Sequence, residues 1–219
     1  MTRDFAAWLA CCALAFGCTV SQDLGARHEL STPDGGTGGE DDGFSKGSFV
    51  FSTENLYTGD LKSEGGGTSG ADGADRICMR EAIAAGLKGT YRAWISTSTE
   101  NAIDRIAPTG PWYLADRETV IFPGSAISGS PRAYMSMTPS GDGFYASDHP
   151  EVWTGTLAEG TISSRGTCSD WESNDSSESA QLGFALSHDS GWTEPLFADP
   201  VEASSQSCAG VARLYCFGQ

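Results

Sequence analysis

The run SGADGADRICMREAIAAGLKGTYRAWIS, residues 69–96, decides how this sequence is expected to fold. Small apolar residues recur at helical spacing in its first half, so we predict an amphipathic helix with Cys78 on its inward face. Ser69 is a favourable N-cap residue, and Gly86 is well placed to end the helix in a left-handed conformation. The second half alternates in the manner of a strand and places Trp94 on the face opposite to its neighbours.

The N-terminal residues 1–17 have the pattern of a signal peptide. Their apolar run of 12 residues is too short to span a bilayer and is typical of the central region of a signal. The run ends at Gly17-Cys18, which resembles a bacterial lipoprotein cleavage box. We therefore predict a mature chain anchored through acyl chains, palmitate among them, on Cys18. The alternative is an ordinary signal peptide in which Cys18 is incidental.

Residues 18–47 are predicted to be the lipidated cysteine and a flexible linker, ahead of a folded domain at 48–219. Glycine, serine, threonine and acidic residues dominate the linker, and no apolar period is visible. A flexible chain of roughly 29 residues reaches about 30 Å, enough to hold a domain away from a membrane. The acidic stretch from Asp34 to Asp42 lacks the ligand spacing of a calcium loop and is interpreted as spacer.

The charge balance limits the class of partner. The chain has 13 Lys and Arg residues against 29 Asp and Glu residues, a net charge of −16. Nucleic acids, other polyanions and anionic lipid headgroups are disfavoured by this charge. A soluble acidic surface, cations or basic surfaces remain compatible with it.

The fold class follows from short elements and an even set of cysteines. Between residues 48 and 219 we predict several short strands, two short helices and long loops, including a loop at 56–67, which describes an α+β domain. The second helix, Ser98 to Ile106, would begin after a capping box formed by Thr97 and Glu100. Cys11 and Cys12 lie in the signal and Cys18 is the predicted anchor, so two disulfides with three alternative pairings are expected among the four remaining cysteines: Cys78, Cys168, Cys208 and Cys216.

Five stretches in order carry a resemblance to a known family: Gly70 to Cys78, Ala85 to Ser96, Val152 to Gly155, Thr167 to Trp171 and Leu214 to Phe217. They resemble a family of bacterial lipoproteins of unknown function and, more distantly, endostatin. The resemblance implies a C-type-lectin-like fold for the domain. It also implies the disulfides Cys78–Cys216 and Cys168–Cys208, of which the first would bring the ends of the domain together.

Several properties of those relatives do not carry over, and we expect neither a cofactor nor a metal. Endostatin has a basic heparin-binding face and a zinc site, whereas this chain is acidic and its histidines are only His28, His149 and His188. Calcium-dependent lectins use a Glu-Pro-Asn or Gln-Pro-Asp loop and a Trp-Asn-Asp run. Here Glu194-Pro195 is followed by leucine, and no Trp-Asn-Asp occurs.

No catalytic pattern is apparent. The consecutive residues Ser187, His188 and Asp189 point in diverging directions and cannot converge as a triad. The acidic residues between Asp170 and Glu178 have the period of a solvated loop. We therefore expect a non-enzyme, with an envelope hydrolase or modifying enzyme and a structural envelope lipoprotein as the alternatives.

Aromatic residues are the remaining candidates for ligand contact. Trp94, Trp153 and Trp171 lie in the stretches that carry the resemblance and are interpreted as core. Five others lie in or beside loops, where aromatic side chains commonly contact sugars or proteins: Trp112, Tyr113, Tyr134, Phe144 and Tyr145. The expected protein is a tethered binding module in a Gram-negative envelope, with an extracellular protein or glycan as partner. Thr19 after the lipidated cysteine favours the outer membrane or the cell surface.

Overall fold

The computed structural model describes residues 47–145, 148–195 and 204–219, which belong to one compact unit, Asp42–Gln219. The predicted signal peptide 1–17, the lipidation site Cys18 and the linker as far as residue 46 lie outside the described residues. None of the helices in these ranges is both long and apolar enough to cross a membrane.

The described domain is α+β, as predicted, with short helices beside two sheets. The strands are β1 Ser48–Ser52, β2 Tyr91–Ala93, β3 Trp112–Tyr113, β4 Val120–Phe122, β5 Glu151–Trp153, β6 Ser179–Phe184, β7 Ser205–Ser207 and β8 Tyr215–Gly218. The helices are α1 Leu61–Gly65, α2 Gly70–Ala84, α3 Ala102–Arg105 and a single turn α4 Cys168–Trp171, with a 3-10 turn at Ser190–Trp192.

The larger sheet brings the two ends of the domain together. Its strand order is β2-β8-β1-β3-β4, and β5, β6 and β7 form a separate antiparallel sheet. Strand β1 pairs antiparallel with β8, with Val50 opposite Phe217, and parallel with β3. The first and last strands are therefore direct neighbours.

Alternating side chains of the larger sheet enter two different hydrophobic clusters. Phe51 and Ala93 lie in the cluster that also contains the inward face of α2. Val50 and Trp94 lie in the other cluster, with Trp112 of β3 and Phe122 of β4. Successive residues of an extended chain point to opposite faces, so one sheet separates two cores. The prediction that Trp94 faces away from its neighbours is confirmed.

Helix α2 begins and ends where its sequence indicates. The Ser69 hydroxyl accepts a hydrogen bond from the Asp72 amide at 3.2 Å. At the other end Gly86 has φ of 74°, and the Leu87 amide donates to the carbonyl of Ala82 at 2.9 Å. This is a left-handed glycine cap of the Schellman type, which satisfies carbonyls at the end of the helix.

Helix α1 lies within the segment that was interpreted as a loop, so that interpretation was wrong. It packs on α2 through glycine: a Cβ atom added to Gly73 would lie 2.1 Å from the backbone oxygen of Leu61. Only a residue without a side chain permits this approach of two helix backbones. Gly65 and Gly67 also lie against Gly73, whereas Gly66, with φ of 66°, ends α1 in a left-handed conformation.

The second predicted helix is shorter than expected, since α3 covers Ala102–Arg105 alone. The capping box is half formed. The Thr97 hydroxyl accepts from the Glu100 amide at 3.1 Å, but the Glu100 carboxylate accepts from Arg105 at 2.8 Å. The amide of Thr97 donates to the Glu100 backbone carbonyl instead. A buried arginine thus competes successfully for the carboxylate that the box requires.

Two disulfides join distant parts of the domain. Cys78 of α2 pairs with Cys216 of β8 across 138 residues, and Cys168 pairs with Cys208 across 40 residues. This is the pairing that the family resemblance implies. In the chain-entropy description, a cross-link that closes a loop of this length stabilises the folded domain by about 4–5 kcal/mol, which is an upper expectation.

The turn α4 has an unusual backbone. Its four residues Cys168, Ser169, Asp170 and Trp171 have φ of 49°, 52°, 59° and 67°, and none of them is glycine. A left-handed conformation costs about 1–2 kcal/mol per such residue, so the turn requires support from its surroundings. The support consists of the Cys168 disulfide, the fully buried Trp171 ring and two hydrogen bonds from Ser98 to the Asp170 carboxylate.

Candidate functional site

The five loop aromatics separate into a buried set and an exposed set. Trp112 is fully buried, and its indole donates to the Gly218 carbonyl at 3.2 Å. Phe144 is 7 % exposed, and Tyr113 is half-buried beside the core. The prediction that Trp112 and Phe144 contact a ligand is wrong, because both rings are buried in the hydrophobic core.

Tyr134 and Tyr145 are exposed, at 46 % and 77 % of their surfaces. A β-bridge pairs Met137 with Gly143, and the Phe144 amide donates to the Ser136 carbonyl at 3.0 Å. The paired segments form an irregular hairpin. Both tyrosines lie at its open end, because each is only one or two residues beyond this hydrogen bond.

A histidine from a distant part of the chain joins Tyr134. The imidazole of His188 packs edge-on against the Tyr134 ring with centroids 5.2 Å apart, and His188 is exposed. We call Tyr134, Tyr145 and His188 the aromatic patch. Sequence reasoning missed His188 as a member, since nothing in the sequence indicates that its loop meets the hairpin.

Asp189, the residue after His188, places an acidic side chain next to the aromatic patch. Asp189 is exposed and accepts hydrogen bonds from the Ser187 hydroxyl at 2.5 Å and the Gly191 amide at 2.8 Å. These two bonds hold the pKa of the Asp189 carboxyl below its usual range. Asp189 therefore carries its negative charge at any neutral or mildly acidic pH.

Arg213 supports the open end of the hairpin from its buried side. Its guanidinium lies 4.1 Å from the centroid of the Phe144 ring and is 7 % exposed. It donates to the carbonyls of Asp148 and His149 on one side and to those of Thr53 and Glu54 on the other. One buried cation thus connects the loop that follows Tyr145 to the loop that follows β1.

Glu81 of α2 holds that second loop. Its carboxylate is 5 % exposed and accepts from the amides of Glu54 and Asn55, from the Asn55 side chain and from the Tyr57 hydroxyl. Burial and the bond to Glu81 raise the pKa of Tyr57 to about 12. The loop that follows Tyr145 is therefore connected, through Arg213 and the loop that follows β1, to Glu81 of helix α2.

A cavity of about 590 Å³ lies elsewhere, between the edge strand β2, helix α2 and helix α3. Three of its four charged groups are paired: Arg105, 4 % exposed, contacts Asp75 and Glu100, each at 2.8 Å, and Arg92 lies 3.9 Å from Asp75. The fourth, Asp104, accepts a hydrogen bond from the Asn101 side chain at 3.0 Å. Burial raises the pKa of Asp75 against the opposing effect of the Arg105 guanidinium. These ion pairs fix β2 to α2 and α3 and leave little charge free for a ligand.

The described residues show neither a triad nor a metal cluster. The Ser187 hydroxyl donates to Asp189, while His188 packs on Tyr134. The three residues therefore do not form the Ser–His–Asp chain of hydrogen bonds that a triad requires. In the described ranges no group of three or more His, Cys, Asp or Glu side chains could hold a metal ion. The acidic residues of the predicted loop are engaged by other side chains: Glu172 forms an ion pair with the distant Lys62, and Glu178 accepts a hydrogen bond from Ser169.

No protein-family model matches this chain, and no curated protein sequence is significantly similar to it. The candidate site is therefore defined by its geometry alone.

Proposed function

We propose that this protein is a non-catalytic binding module, tethered to the outside of a bacterial cell by a lipid anchor, that contacts a protein or glycan through its aromatic patch. The observation that carries the proposal is the exposure of Tyr134 and Tyr145 on a hairpin fixed by Arg213. Exposed aromatic rings on a rigid support bind with little loss of side-chain entropy.

A C-type-lectin-like fold is the finer part of the proposal. The pairing of Cys78 with Cys216 and of Cys168 with Cys208, and the antiparallel pairing of β1 with β8, support it. The lipoprotein-like box at Cys18, followed by the glycine-rich acidic linker, supports the anchor.

The anchor has its own test. Metabolic labelling with palmitate should place label on the wild-type chain and none on a Cys18→Ala variant. Equal labelling of the two chains would remove the anchor from the proposal and leave the binding site untouched.

The binding site is tested by a glycan array and a panel of purified extracellular proteins, probed with the full chain in a non-ionic detergent. Replacing Tyr134 and Tyr145 with alanine should lower affinity for a bound probe about tenfold, because each exposed aromatic contact contributes roughly 0.5–1.5 kcal/mol. The matched control is Ile83→Ala, which removes an apolar side chain that is 66 % exposed on α2. Unchanged binding by the tyrosine variant, or an equal loss in the control, would contradict the proposal.

A further inference from the structure

The negative charge of this chain is concentrated in one part of its sequence. Between residues 133 and 212 there are twelve acidic residues and a single basic one, Arg165. Residues 47–132 are nearly balanced, with ten acidic and eight basic residues. All three members of the aromatic patch belong to the acidic part.

The same imbalance holds at the patch itself. The Asp148 carboxylate accepts a hydrogen bond from the Tyr145 amide at 2.9 Å, and the ionised Asp189 follows His188. Asp142 is exposed at the tip of the hairpin. Of the basic residues near the hairpin, Arg213 is buried beneath it, and Arg132 is the one that is exposed. Each half of the aromatic patch therefore has a carboxylate beside it, Asp148 next to Tyr145 and Asp189 next to His188.

From this we infer that the partner of the aromatic patch is a segment of another protein that presents lysine or arginine side chains. The inference rests on the proposed function and names its ligand class. A cationic head group is attracted to the face of a tyrosine ring, and its aliphatic stem covers the apolar edge of the ring. Carboxylates at Asp148 and Asp189 would complete the contact, and the net charge would accelerate the encounter.

The probes are three fluorescein-labelled peptides of equal length in which glycine alternates with lysine, serine or glutamate. Fluorescence anisotropy measures their binding to the full chain in a non-ionic detergent at about 20 mM and about 200 mM salt, where screening differs strongly. We expect the lysine peptide alone to bind, and the higher salt to weaken it.

Two substitutions separate this contact from general attraction between opposite charges. Tyr134→Ala combined with Tyr145→Ala should weaken the lysine peptide about tenfold at either salt concentration, since two cation–π contacts are lost without a change in net charge. Asp148→Asn should weaken it more than Glu118→Gln, an equal change of charge at an exposed residue of the β3–β4 turn.

Three results would overturn the inference: no binding of the lysine peptide, equal binding of the serine peptide, or lysine-peptide affinity that is unchanged by the tyrosine substitutions. A neutral glycan that requires both tyrosines and binds independently of salt would also overturn it. That last outcome would uphold the proposed function, so the failures of the two proposals are distinguishable.

Discussion

Replacing Arg213 with methionine tests the support of the aromatic patch. The substitution keeps most of the apolar stem and removes a guanidinium that donates to four backbone carbonyls and lies over Phe144. Burial also lowers the pKa of this arginine, because the charged form has lost water without gaining a direct carboxylate partner among the described residues.

The magnitude follows from these contacts. Four hydrogen bonds from a charged donor are worth about 1.5–3 kcal/mol each, or roughly 6–12 kcal/mol together. The variant also no longer bears the cost of removing the cation from water, and this offsets several kcal/mol of the loss. We therefore expect Arg213→Met to lower the free energy of unfolding by about 3–5 kcal/mol, the range for a buried charge network that loses one member.

The assay is urea unfolding of the domain, residues 48–219, followed by tryptophan fluorescence, together with hydrogen exchange of the amides between 142 and 149. Arg117→Met is the matched control, because this exposed arginine also lies over a phenylalanine, Phe49, at 5.7 Å. It should change the free energy of unfolding by less than about 1 kcal/mol. A loss of similar size in both variants, or unchanged exchange near Tyr145 in Arg213→Met, would refute the reasoning.

Three further predictions concern the scaffold. Gly73→Ala should lower the free energy of unfolding by about 1–3 kcal/mol through overpacking, whereas Gly124→Ala, where the nearest atom is 3.5 Å away, should leave it unchanged in urea unfolding. Ser169→Gly should raise it by up to about 0.5 kcal/mol, because relief of the left-handed penalty outweighs the loss of the exposed hydrogen bond to Glu178; Ser176→Gly, outside the left-handed turn, should instead lower it slightly, and a loss in both would contradict the account. The raised pKa of Tyr57 stabilises the fold below pH 10 and this contribution is lost as pH rises towards about 12. Between about pH 9 and about pH 12 the free energy of unfolding of Tyr57→Phe should therefore fall by roughly 2–3 kcal/mol less than that of the wild type. An identical fall in both would show that this tyrosine does not titrate as described.

The parts of the fold that were predictable are those encoded by local patterns. The cap at Ser69, the glycine end of α2 and the opposite orientation of Trp94 each follow from neighbouring residues, and each is confirmed. Helix α1 was missed because its glycines suggested a loop, while their role is the close approach to α2. The role of these glycines depends on their contact with α2, which the sequence around residue 66 does not reveal.

The candidate site was predictable only in part, for the same physical reason. Trp112 and Tyr134 both lie in or beside predicted loops, yet one fills the core and the other is exposed. What distinguishes them is the long-range pairing of β3 with β1, which no local pattern reveals. The contacts of His188 with Tyr134 and of Arg213 with Phe144 also join residues far apart in the chain.

The central claim is that binding occurs at the aromatic patch. Its most direct test is a titration of the isotope-labelled domain with the lysine peptide, followed by amide and aromatic chemical shifts. We predict that the shifts that change belong to Tyr134, Tyr145, His188 and their neighbours. Saturable changes at Asp75 and Arg105, around the large cavity, with none at the patch would contradict the account.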